Sequence, residues 1–145
     1  MSSNANRDYG LNWERELVKM LQGLGAARRN PNSGAFGTQS NDPDLQGDVR
    51  FEVDGLRFLI EAKAGYGGVG SITFKREWLD KVTEEATRAI PNRIPVVALK
   101  MRGDRAKNGK LIVMSVEVFK GILEHIVELE NKLEAANERL WKSLV

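Results

Sequence analysis

A chain of 145 residues is the size of one domain with room for a buried core, and its 41% hydrophobic and 29% charged content is that of an ordinary globular protein. The absence of cysteine excludes a disulfide framework, no apolar run reaches the roughly 20 residues of a membrane span, and the polar start MSSNANRDYG has no secretory h-region, so a cytoplasmic protein is expected. A net charge of +2 does not by itself announce a polyanion partner, although the basic clusters lie before residue 111 and glutamates crowd the segment from Glu117 to Glu138.

Leu11, Trp13, Leu17, Val18, Met20, Leu21 and Leu24 recur at helical spacing, with Asn12 as N-cap and Gly25 as stop, so a first helix is expected over 11–24. Residues 31–47, PNSGAFGTQSNDPDLQG, are rich in Pro, Gly, Asn and Ser without periodicity and predict a long loop. Two strands follow at 48–63, then the glycine-rich loop AGYGGVG and a helix from Phe74 to Ile90 with Phe74, Trp78, Leu79, Val82, Ala86 and Ile90 inward. The β-branched runs IPVVALKM (94–101) and LIVMSV (111–116) predict two more strands. Phe119, Ile122, Ile126, Leu129, Leu133, Ala136 and Leu140 are spaced alternately by 3 and 4, the a/d seam of a heptad helix. Such a helix either pairs with a second copy or packs on its own domain.

Asp54-Gly55 favours a two-residue type I′ turn, because both positions need positive φ. The turn then fixes the register: Val53 faces Leu56, Glu52 faces Arg57, and so on to Asp48 opposite Glu61. Val49, Phe51, Val53, Leu56, Phe58, Ile60 and Ala62 project to one apolar face. The other face carries Asp48, Arg50, Glu52, Arg57, Glu61 and Lys63, with Leu59 the exception. Glu52 and Arg57 form a favourable pair, whereas Asp48 and Glu61 place like charges opposite each other.

A divalent cation between Asp48 and Glu61 relieves that repulsion, since Mg²⁺ takes hard oxygen ligands from one or two carboxylates plus water and phosphate. Lys63 alongside can hold a water or a phosphate oxygen, which together is what phosphodiester hydrolysis needs. The alternative is an ordinary charged hairpin face. Acid-x-Lys by itself says little, and Glu130-Asn131-Lys132 in the C-terminal helix is such a match. Strand context and register single out Glu61-Ala62-Lys63.

The chain resembles the archaeal-type Holliday junction resolvases of the PD-(D/E)xK nuclease superfamily through most of residues 10–116. ERELVKML (14–21) is similar to the start of that family's first helix, NSGA (32–35) to its serine loop, GD…LIEAK to its metal site and IPVVALK (94–100) to the strand after its second helix. The resemblance implies an α/β, restriction-endonuclease-like core over 1–116, with a central mixed β-sheet flanked by helices; the long C-terminal heptad helix over 117–145 is an extension outside what the resemblance covers. It implies that Glu14 reaches the site, that Asp48, Glu61 and the Ala62 carbonyl bind Mg²⁺ (Mn²⁺ substituting), that Lys63 assists the attacking water, that Arg15 contacts DNA and that Ser33 lies near the scissile phosphate. Pro43-Asp44 stands four residues before Asp48, the loop from Ser33 to Asp48 is longer than the family's, and Trp78 stands where many relatives carry glutamine.

The function these readings imply is a metal-dependent endonuclease making paired cuts in four-way junctions, with branched DNA and a second copy of the chain as partners and no small-molecule cofactor or membrane. Arg28, Arg29, Lys75 and Arg76 join Arg15 as expected phosphate contacts. A nuclease acting on flaps, ends or duplex DNA, and a catalytically silent DNA-binding protein of the same fold, are the alternatives.

Overall fold

In the computed structural model, which describes residues 2–30, 48–68, 70–103 and 107–145, Asp54 and Gly55 both take positive φ, 46° and 84°. They join strand β2 (Val49–Val53) to β3 (Leu56–Ala64), and the pairs Val53 with Leu56, Glu52 with Arg57, Phe51 with Phe58, Arg50 with Leu59 and Val49 with Ile60 are those the turn dictates. The sheet is completed by β1 (Ala26–Arg29), β4 (Ile94–Lys100) and β5 (Lys110–Val113), and the five strands lie side by side in chain order. Only β3 and β4 run parallel. A parallel step needs a crossover, and helix α2 (Arg76–Arg88) supplies it. The result is the expected α/β class, a mixed sheet with helices.

Helix α1 (Ser2–Leu21) lays Trp13 and Leu17 on the face formed by Val49, Phe51, Ile60, Val96 and Ala98. Trp13 satisfies its polar tip by donating Nε1–H to the Ala98 carbonyl at 3.1 Å. On the other side α2 lays Trp78, Val82 and Ala86 over Leu59, Val97 and Leu99. Leu59 is therefore no exception on a wet face: it is fully buried in a second core. Truncating it to alanine should cost about 2–5 kcal/mol.

Three local expectations change. The first helix begins at Ser2, nine residues before Leu11, because the polar stretch ahead of it carries no apolar stripe to read. Met20 and Leu24 face solvent. Strand β1 was not expected, since Ala-Ala-Arg-Arg has none of the β-branched or aromatic residues that mark strands. It pairs along β2 with Ala26 opposite Glu52 and Arg29 opposite Val49. Gly25 permits this approach, because a Cβ there would collide with the Glu52 carbonyl oxygen. Ile90 lies beyond the end of α2 and is exposed, and Glu85 is buried on the inward stripe.

The chain divides into two compact units, Met1–Met114 and Ser115–Val145. The second is helix α3 (Val116–Leu144), capped by Ser115, whose side-chain oxygen accepts the Val118 N–H at 3.1 Å. None of its residues is buried. No helix among the described residues is long and apolar enough to cross a membrane.

Candidate active site

The hairpin register delivers Asp48 to the end of β3. Its backbone N–H donates to the Ile60 carbonyl at 3.1 Å and its carbonyl accepts the Asn30 N–H at 2.9 Å, so both neighbouring strands hold it. Its side chain turns to β3, where Oδ2 accepts the Ala62 N–H at 2.8 Å. That bond fixes the Asp48 carboxylate beside the peptide that follows Glu61.

Glu61 is 2% exposed. Its Oε1 meets two ammonium groups, Lys63 Nζ at 3.2 Å and Lys81 Nζ at 3.6 Å. Its Oε2 is buried without a hydrogen-bond partner among the described residues. Burial pushes the Glu61 carboxyl above the usual glutamate range, the nearby charge of Asp48 pushes it the same way, and Lys81 and Lys63 oppose them. Lys81 also lies 3.9 Å from Glu85 Oε1. Partial burial pulls Lys81 down, but the carboxylates of Glu61, Glu85 and Asp48 outweigh it and raise its pKa.

Lys63 is held from a second side. Its ammonium stands 5.4 Å from the centre of the Trp78 ring, a cation–π distance, and Trp78 is in turn packed edge-on by Tyr66 and Phe74. Trp78 is core, and it also positions the lysine. Lys75 stands over the same ring at 5.8 Å and over Tyr66 at 6.0 Å.

The structure thus brings together Asp48, Glu61 and Lys63 and adds Lys81, which the sequence reading missed. A signal for it exists. Lys81 lies three residues after inward-facing Trp78 and four before Glu85, so on a helix it must sit at the margin of the stripe that covers β3. Glu14 lies on α1, 5% exposed, with Arg29 Nη2 at 3.5 Å from its Oε2. Among the described residues no three acidic or histidine side chains gather as a metal cluster. Ser33 and Asp44 fall outside the described residues.

The basic residues form two groups. Arg15, Lys19, Arg28 and Arg29, with Glu16 and Gln22 among them, line an open groove of about 660 Å³ between α1 and β1. Lys75 and Arg76 stand at the start of α2, where Arg76 is almost wholly exposed and pairs with Asp80 at 3.7 Å.

The donor set fits a hard divalent cation. It offers two carboxylates in register, one buried carboxylate oxygen without a hydrogen bond among the described residues, and the carbonyl of Ala62, the residue whose N–H already engages Asp48. Two protein carboxylates and a carbonyl leave the remaining positions to water and phosphate.

Residues 5–139 match the model of a protein family described as "Phage putative PDDEXK endonuclease". The match spans nearly the whole chain, and the chain belongs to that family, and so to the PD-(D/E)xK nuclease superfamily. No curated protein matches it.

Proposed function

Starting from that membership, we propose that the chain is a divalent-metal-dependent DNA endonuclease whose centre is Asp48, Glu61, the Ala62 carbonyl and Lys63, with Mg²⁺ as the ion and Mn²⁺ as a substitute. The observation that carries this reading is the convergence of Asp48 Oδ2 on the Ala62 N–H while Glu61 next to it keeps a buried oxygen without a hydrogen-bond partner among the described residues. When bound, the cation polarises a phosphoryl oxygen and lowers the pKa of a bound water.

The chain's own residues do the rest. Lys63, held between Glu61 and Trp78, has donors left to orient the attacking water or a phosphate oxygen. Lys81 offsets carboxylate charge from the α2 side, which favours an anionic backbone at the centre. Water then adds to phosphorus as one P–O ester bond breaks, and its proton ends on the leaving oxygen. The exposed groove of Arg15, Lys19 and Arg28 is suited to DNA phosphates.

The favoured substrate is a four-way junction, supported by the ordered resemblance of ERELVKML, GD…LIEAK and IPVVALK to junction resolvases. Symmetric paired cuts require two copies of the chain, one site for each strand. A cytoplasmic place of action belongs to the same reading. The family description names only an endonuclease, so cleavage of flaps, ends or duplex DNA fits it equally. Junction, flap and linear substrates of matched sequence separate the two: paired symmetric nicks in the junction alone support resolution, and equal cutting of all three favours the broader nuclease.

A further inference from the structure

Helix α3 presents an apolar seam that its own unit does not cover. Phe119, Ile126, Leu133 and Leu140 at a, and Ile122, Leu129 and Ala136 at d, continue one heptad register along most of its length, and Leu133 and Leu140 are 62% and 60% exposed. No residue of the helix is buried. An uninterrupted a/d seam of this kind is made to pair with another helix, and the flanking charges identify the partner.

In this register the g positions are Val118, His125, Lys132 and Arg139, and the e positions are Leu123, Glu130, Asn137 and Leu144. An antiparallel pair of identical helices sets g against g and e against e, so Lys132 meets the partner's Lys132 and Glu130 meets the partner's Glu130. A parallel, in-register pair sets g against the e position five residues on. His125 then lies beside the partner's Glu130, Lys132 beside the partner's Asn137, and no like charges oppose. In the Ile126 layer, isoleucine at a followed by Leu129 at d is the combination that favours two strands over three.

We infer that α3 forms a parallel, in-register two-stranded coiled coil with α3 of a second copy of this chain. Each a residue packs against the same residue of the partner, as does each d residue, and the two-fold axis runs along the helix pair. The inference goes beyond the nuclease reading and stands without it.

The chain has no cysteine, so a single introduced thiol reports geometry cleanly. The full-length Ala136→Cys variant is oxidised and compared with Ile126→Cys, with mass in solution read by light scattering. In the parallel arrangement residue 136 faces its own copy and a disulfide-linked dimer forms in high yield. In the antiparallel one residue 136 faces residue 126, about 15 Å along the axis from its own counterpart and beyond disulfide reach, and only a mixture of the two variants cross-links across 126 and 136. A monomer, a trimer, or a dimer that fails to link at 136 overturns the inference. The double change Ile126→Asp with Leu133→Asp, on exposed seam positions, should convert the dimer to monomer with the circular dichroism of the first unit retained; a surviving dimer also overturns it.

Discussion

Lys81 Nζ lies 3.6 Å from the Glu61 oxygen that Lys63 reaches at 3.2 Å, so two lysines from different elements share one buried carboxylate. The two are not equivalent. Lys63 leaves the strand two residues after Glu61 and is braced by Trp78, whereas Lys81 comes from α2 and divides its charge between Glu61 and Glu85.

Removing each lysine should therefore separate two roles. Lys63→Met should slow single-turnover cleavage by about 10²–10³-fold, the usual loss for one oriented donor at a reacting phosphate. Lys81→Met should slow it by roughly tenfold, which corresponds to about 1.4 kcal/mol. Equal losses from the two would show that Lys81 acts directly on the substrate.

Glu61 links the centre to pH. Its folded pKa is raised above the ordinary value of 4.5, so its contribution to stability is present below that value and is lost as pH rises through the raised one. A cation needs the carboxylate ionised and so opposes that loss. Mg²⁺ should accordingly raise the melting temperature most at pH 8, and less as pH falls toward 5. The shift should be absent in Asp48→Ala; a pH-independent shift, or one kept in that variant, contradicts the assignment.

Glu16 tests the frame that carries the site. It accepts from Lys100 at 2.6 Å and pairs with Lys110 at 2.7 Å, tying α1 to β4 and β5, and these bonds hold its pKa below the usual range. A depressed carboxylate contributes stability above its unfolded pKa and loses it as pH falls through the folded one. Glu16→Gln should cost about 1 kcal/mol in urea unfolding at pH 7, after discounting for partial exposure. The cost should shrink as pH falls below 4.5.

The groove between α1 and β1 predicts salt dependence. Arg28→Ala and Arg15→Ala should each weaken DNA binding uniformly across sequences and lower the slope of log affinity against log salt by about 1. Affinity that ignores salt would place the DNA elsewhere.

What the sequence shows of this molecule follows from how local each signal is. Asp54-Gly55 sets the β2–β3 register by itself, and through it the meeting of Asp48 and Glu61, because turn geometry is a property of two residues. The burial of Leu59 and Glu61 is not local. It depends on α2 crossing that face, so alternation along β3 reads as a charged wet surface until the helix is in place. Strand β1 is invisible for a related reason: Ala26–Arg29 forms only because β2 offers a partner and Gly25 lets the backbones approach. Lys81 reaches Glu61 only across elements, and acid-x-Lys spacing says nothing of it.

The most direct test of the metal-centre account is Mg²⁺-dependent cleavage of a labelled four-way junction by the wild-type chain, Asp48→Ala and Asp44→Ala, with binding measured in parallel. Wild type and Asp44→Ala should cut, in a reaction abolished by a chelator, and Asp48→Ala should not cut although it still binds the junction, since phosphate contacts dominate affinity. Full activity in Asp48→Ala with loss in Asp44→Ala would contradict that account, and would move the ligand out of register with Glu61.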